Sequence, residues 1–304
     1  MLRTWLTEQF DLTVPVVLAP MAGVAGGALA AAVSGAGGLG VVGIGYDEPA
    51  FITAEADTAR ASGRPFGIGL IAWVSDTRTE MLEAAIAARP ALLSLSFGEY
   101  ARHVGAAHDA GILVVTQAGT VDDARRAVDA GVDVVVARGS EGGGHGRGEV
   151  ATLPLLQGVL DAVDVPVLAA GGIAGPRGLA AVLAAGAAGA WVGTAFLACV
   201  EGRNSPQARA AVVAAGETDT IYTTVLDIGR GIPWPSEFGG RALRNAFAER
   251  WHGREDELRR EGVQSEESVV WAGEAVGLIR EERSAADVVA EFAAAEALVR
   301  RFDA

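Results

Sequence analysis

Eight runs of strand length constrain this chain more than any other feature. They begin at Val16 (VVLAP), Leu39 (LGVVG), Phe66 (FGIGL), Leu92 (LLSLS), Ile112 (ILVVTQ), Val132 (VDVVVA), Val165 (VPVLAA) and Ala190 (AWVGT). Most are apolar at successive positions, the pattern of a strand covered on both faces. Between them lie alanine-rich stretches with helical spacing, among them GGALAAAVSGAG, TEMLEAAIAARP, TVDDARRAVDAG and PRGLAAVLAAGA. Thr120 offers a hydroxyl N-cap with Asp122 and Asp123 in the first turn, and Gly131 marks the end of that helix. Strands alternating with helices build parallel βα units. Eight such units, the last ending near residue 195, predict a (β/α)8 TIM barrel. The rival, an open doubly wound sheet, wants G-x-G-x-x-G after its first strand; the chain reads MAGVAGGALA there.

Residues 12–46 carry no charge over 35 positions, a length that invites a membrane-spanning reading. Prolines and glycines break the stretch into VVLAP, GGALAAAVSGAG and LGVVGIG, which reads as strand, helix, strand. The N-terminal MLRTWLTEQFDLT has scattered charges and no apolar core before a cleavage site, so no signal peptide is expected. The net charge of −14 would repel nucleic-acid phosphates and anionic membranes, so neither is an expected partner. Cys199 is the single cysteine, which rules out an intrachain disulfide and a cysteine metal cluster. A reducing cytoplasm is the expected location, and no metal is expected. Lysine is absent, all 24 basic residues being arginine, so Schiff-base chemistry is excluded by composition.

After Phe196 the texture changes. ERWHGREDELRREG and LIREERSAADVVAEFAAAEALVRRF read as amphipathic helices, and TTVLDIGRGIPWPSEFGGRALRNAF between them reads as irregular. The expected organisation is a barrel over residues 1–200 with a C-terminal helical extension over 201–304. That extension would cover the catalytic face or supply a flank, possible homodimer contacts included.

Barrel enzymes work at the C-terminal ends of their strands. Strand one ends in Pro20-Met21-Ala22-Gly23, three near Gly69, five in Thr116-Gln117, and six in Arg138-Gly139-Ser140-Glu141-Gly142-Gly143-Gly144-His145. Strand seven ends in Gly171-Gly172-Ile173 before a helix opened by Gly175-Pro176, and strand eight in Gly193-Thr194 before AFLACV. Glycines at a helix N-terminus let backbone N–H groups reach an anion, so these two turns predict a phosphate site. The glycine loop after strand six would let a flat ring lie against backbone, with His145 leaning over it as a general base. His103, His108 and His252 fall in helical segments and read as structural or solvated. Glu141 reads as a turn carboxylate bonding nearby N–H groups, and Cys199 as core.

Together APMAG at 19–23, GSEGGGHGRG at 139–148, AAGGI at 169–173 and VGTAF at 192–196 resemble the nitronate monooxygenase family of FMN-dependent barrels. RALRNAF at 241–247 is also similar. The resemblance implies FMN held by Met21, Ala22, Gly23, Gly69, Gln117, Arg138, Gly143, Gly171, Gly172, Gly193 and Thr194, with the phosphate on Gly193 and Thr194 and His145 as catalytic base or substrate anchor. It implies oxidation of an alkyl nitronate with O2 to a carbonyl compound and nitrite. NAD(P)H-dependent FMN reductases of quinones or enoyl thioesters share the same motifs, and a non-redox barrel binding a phosphometabolite is the reading from another class. The chain departs from the family pattern at Gly69, where asparagine is usual, at Arg138, where glutamine is usual, and at Gly142, where alanine is usual. One expectation is that Gly69 vacates space beside the flavin that the Arg138 guanidinium fills; the other turns Arg138 outward to Glu141 or Glu149.

Overall fold

The computed structural model describes residues 2–302. Its central sheet has eight strands: β1 (Val16–Leu18), β2 (Gly40–Gly43), β3 (Phe66–Ile71), β4 (Leu92–Ser96), β5 (Leu113–Ala118), β6 (Val134–Arg138), β7 (Val167–Ala170) and β8 (Gly189–Val192). Each starts within two residues of an apolar run in the sequence. Every strand pairs in parallel with its neighbour in sequence, and β1 pairs with β8. A parallel bridge between Val17 and Leu39 joins β1 to β2 and closes the ring. The chain is a (β/α)8 TIM barrel.

Alternation along each strand divides the apolar side chains into two cores. Val16, Leu18, Ile68, Leu93, Leu95, Val135 and Ala169 face the helices, where they meet Leu29, Val33, Leu155 and Leu179. Val17, Leu39, Val41, Leu92, Val115, Val136 and Leu168 face inward and fill the barrel. Leu6 and Phe10 belong to the inner core as well. They come from helix Trp5–Phe10, which is started by a capping box between Thr4 and Thr7. This helix stoppers one end of the barrel, so a cavity can open only at the other.

The stretch 12–46 resolves into β1, helix Gly27–Gly35 and β2, and among the described residues no helix is long and apolar enough to cross a membrane. Thr120 caps helix Val121–Asp129 by accepting from Asp123 N at 3.1 Å. His103 is buried against Asp76 and His108 bonds Asp133. Cys199 lies in the outer core, where burial pushes its thiol up to about 12.

The C-terminal part is mostly helical, and it also carries two short strands that the sequence pattern does not announce. Residues 220–223 and 240–243 pair antiparallel, and the second pairs with Gly144–His145 of the glycine loop. The last helices, Ala285–Phe292 and Ala295–Val299, return to the barrel: the first touches helices Gly27–Gly35 and Pro176–Ala184, and the second packs on Pro176–Ala184. Between β8 and that return the chain runs across the open end of the barrel.

Candidate active site

The loop after β1 sets the floor of the site. Inward positions near the ends of β2 and β3 are Gly43 and Gly69. A Cβ on Gly43 would overlap the backbone of Met21, and one on Gly69 would overlap the Pro20 ring. Bare backbone at both positions lets Pro20-Met21 cross the barrel mouth and brings Met21 to the cavity wall. Space beside Gly69 is therefore filled by Pro20, which removes the expectation that Arg138 occupies it.

A cavity of about 700 Å3 opens above this floor. Met21, Ala22, Gly23, Gly69, Gln117, Arg138, Gly143, His145, Gly171, Gly172, Gly193 and Thr194 all line it. Gly171 and Gly172 stand at φ 103° and 72°, consecutive left-handed residues that turn the chain into helix Pro176–Ala184. Thr194 opens the next short helix, and its Oγ1 accepts from Gly273 N at 3.0 Å, so its own hydroxyl hydrogen is left to donate. Two buried polar atoms on the cavity lining have no partner among the described residues, Trp191 Nε1 and Asp227 Oδ1. Glycine-lined turns beside a helix start, a free hydroxyl donor, an unpaired indole N–H and room for a flat ring all suit a flavin with its phosphate.

His145 sits where the glycine loop becomes a strand, with its residue opposite Gly240. Its Nε2 lies 2.9 Å from Asp227 Oδ2. A carboxylate can only accept, so this contact puts the imidazole proton on Nε2 and leaves Nδ1 as the second working nitrogen. Trp234 stacks on the imidazole at a centroid distance of 3.6 Å and an interplanar angle of 4°, and Trp271 lies 4.5 Å away at 50°. Asp227 is buried in helix Val225–Gly229. Burial and the nearby Asp227 push the Tyr46 phenol up to about 12, so it remains a hydrogen-bond donor at any working pH.

Sequence reasoning passed over Asp227, Trp234 and Trp271. All three come from the C-terminal part, 82 or more residues beyond His145. The available signals were an acid inside the apolar run TVLDIG and a tryptophan held between prolines in IPWP. Around this dyad the aromatic wall continues through Trp73, Phe97 and Phe238. Phe97 holds φ at 68°, an unusual conformation for a bulky residue.

Arg138 takes neither expected course. It is buried, and its guanidinium donates to the carbonyls of Gly142, Gly143, Gly144 and Arg147. Glu141 instead accepts from Thr152 N and Oγ1, both at 2.9 Å, the structural role its turn suggested. The backbone of Glu141 accepts from Glu274 N at 3.0 Å, which ties the glycine loop to the C-terminal segment.

The nitronate monooxygenase family model matches residues 3–294. The chain belongs to the nitronate monooxygenase family. Membership makes it a flavin-dependent oxidoreductase. A nitronate monooxygenase of Neurospora crassa is 34% identical, the match covering 95% of this chain and 91% of that protein. A (3aS,4S,5R,7aS)-5-hydroxy-7a-methyl-1-oxo-octahydro-1H-indene-4-carboxyl-CoA dehydrogenase of Rhodococcus jostii is 37% identical over 74% of this chain, and the match spans 64% of that relative's length. Among solved structures, FabK from Thermotoga maritima superposes with a TM-score of 0.88 at 29% identity, covering 100% of this chain and 99% of that one. A nitroalkane oxidase from Streptomyces ansochromogenes gives 0.83 at 29% identity, covering 98% and 99%.

Proposed function

We propose that the protein is an FMN-dependent nitronate monooxygenase that oxidises an alkyl nitronate with O2 to a carbonyl compound and nitrite. The observation that carries this reading is His145, presented to the cavity by the glycine loop beside two phosphate-type turns and held by Asp227. When bound, the flavin supplies the electron-accepting and oxygen-reacting chemistry. Gly193 and Thr194 would hold its phosphate, and Gly143, Gly172 and Met21 would lie along it. FMN suits these turns because its single phosphate needs only one anion site.

His145 does the proton work. With Nε2 committed to Asp227, Nδ1 can take the α-proton of a neutral nitroalkane or, once protonated, hold the oxygens of a nitronate. Stacked on Trp234 and flanked by the tilted Trp271, the ring keeps its orientation. The aromatic wall and the C-terminal segment keep water from the reacting carbon.

A second reading is an NAD(P)H-dependent reductase or a dehydrogenase of acyl thioesters. The likeness to FabK and to the carboxyl-CoA dehydrogenase favours it. Oxygen uptake with ethylnitronate, set against anaerobic bleaching of the flavin by NADH or NADPH, decides between the two. Nitrite release in step with oxygen uptake is the expected result. Rapid bleaching by a nicotinamide nucleotide with no oxygen uptake on nitronate would overturn the first reading.

A further inference from the structure

Arg138 is 3% exposed, and among the described residues no carboxylate meets its guanidinium. Nη2 is shared by the carbonyls of Gly142, Gly143 and Gly144 at 2.8, 3.2 and 2.9 Å, and Nη1 reaches Arg147 O at 3.2 Å. Glu141, Arg241 and Tyr222 are the charged or titratable groups that act on it. Glu141 spends both oxygens on Thr152, and Arg241 has the same sign. Burial lowers Arg138 to about 10, so it stays protonated at neutral pH. A lone buried cation is costly unless something uses its charge. This one borders the cavity.

The same side chain demands bare backbone around it. A Cβ on Gly142 would stand 3.1 Å from Nε and 3.2 Å from Cζ, and one on Gly146 would overlap the guanidinium. The three carbonyls turned toward Arg138 have a second consequence. In a trans peptide the N–H of the next residue points the opposite way, so the loop's own N–H groups turn away from the cation.

We infer that Arg138 is a positioning residue for anions: it holds the glycine loop by its carbonyls, which leaves little room for a side chain at 142, and its charge makes the cavity prefer an anionic ligand. The inference deepens the proposed function, because a nitronate is an anion, but its test needs no turnover. Inorganic nitrite is titrated into the flavin-loaded protein and followed by the flavin absorption spectrum. Arg138→Gln is expected to weaken nitrite binding by about tenfold or more, the size of one charge several ångströms away at an effective dielectric of about 20. Arg138→Lys should retain most of the affinity. Gly142→Ala should lower the melting midpoint in the wild-type background and much less in Arg138→Gln, whose shorter side chain leaves room. If Arg138→Gln loses its flavin, Arg138→Met against Arg138→Lys makes the same comparison of charge at similar length. Equal nitrite affinity with and without the charge, or an equal cost of Gly142→Ala in both backgrounds, overturns the inference. Intact nitrite binding without nitronate turnover would overturn the proposed activity and leave this inference standing.

Discussion

The barrel and the segment that crosses its mouth contribute to the site in different ways. The barrel supplies backbone: the glycine turns after β7 and β8, the loop after β6, and the bare floor at Gly43 and Gly69. The crossing segment supplies side chains: Asp227 on His145 Nε2, Trp234 on its face and Trp271 at its edge. Backbone from a rigid sheet suits an invariant cofactor. Side chains from an irregular segment suit a substrate, because loops change composition without disturbing the sheet. On the proposed function, flavin binding and substrate handling would be separable here, and mutations in the two regions should fail in different ways.

The largest effect should come from the barrel side. Gly193→Asp has room for its Cβ, 3.4 Å from Met21 Sδ, and directs a carboxylate to the proposed phosphate position. The expected product is folded, colourless and inactive protein. Circular dichroism checks the fold and the absorption spectrum checks the flavin. Stoichiometric flavin in the mutant would move the phosphate site elsewhere and break the division at its first half.

The two regions were also unequally legible in the sequence. Parallel strands buried on both faces are apolar throughout, so all eight announced themselves, and the ends of strands one, three, five, six, seven and eight located the glycine turns and His145 of the cavity, though not Tyr46 beyond β2 or Ser94, Ser96 and Phe97 at β4. The strands at 220–223 and 240–243 did not, because TIYT and GRAL are short and their pairing is with each other and with the distant Gly144–His145. Nothing local marks Asp227 either: its partner lies 82 residues away, and an acid in a five-residue helix looks like any N-terminal charge. Arg138 was misplaced for a related reason. A search for its partner among carboxylates overlooks the loop's own carbonyls, which are free to turn inward because glycines carry no side chains.

His145→Ala should leave the flavin in place and slow turnover of a neutral nitroalkane by roughly 10²–10⁴, the range for losing a general base. Preformed nitronate should suffer less, since its proton is already gone. Parallel kcat/KM measurements on both substrates test this, and wild-type rates on each would reduce His145 to a loop residue. Asp227 then sharpens the comparison from the crossing segment. Asp227→Leu removes the acceptor of a hydrogen bond to a potentially charged ring, worth about 1.5–3 kcal/mol, or roughly 10- to 100-fold in rate. Asp227→Asn should cost less, because its amide oxygen can still accept from Nε2. Flavin content should be normal in both. A loss of flavin from Asp227→Leu would show that the crossing segment serves the cofactor as well, and the division would need redrawing.

The smallest expected effect tests how firmly the two regions are joined. Phe97 belongs to the barrel, just past β4, and Trp234 to the crossing segment; their rings meet edge to face at 5.4 Å and 71°. Phe97 makes this contact while holding φ at 68°. Such a conformation costs roughly 1–2 kcal/mol for a residue with a Cβ, so the contact must return at least part of that. An edge-to-face pair contributes about 0.5–1.5 kcal/mol beyond simple burial. A double-mutant cycle of Phe97→Leu and Trp234→Leu, read by denaturant unfolding of the flavin-loaded protein, isolates that term. A coupling of about 0.5–1.5 kcal/mol is expected, with Phe97→Leu raising KM more than it lowers kcat, and Trp234→Leu lowering kcat as well because its ring stacks on His145. Replacing Phe97 by glycine adds a control: relief of the backbone strain should make it less destabilising than removal of a ring of that size from an unstrained site. Additive effects in the cycle would mean that this ring pair does not join the segment to the barrel mouth, and that its hold rests on the other links: the strand pairing with the glycine loop, Asp227 on His145, and the backbone bonds to Glu141 and Thr194.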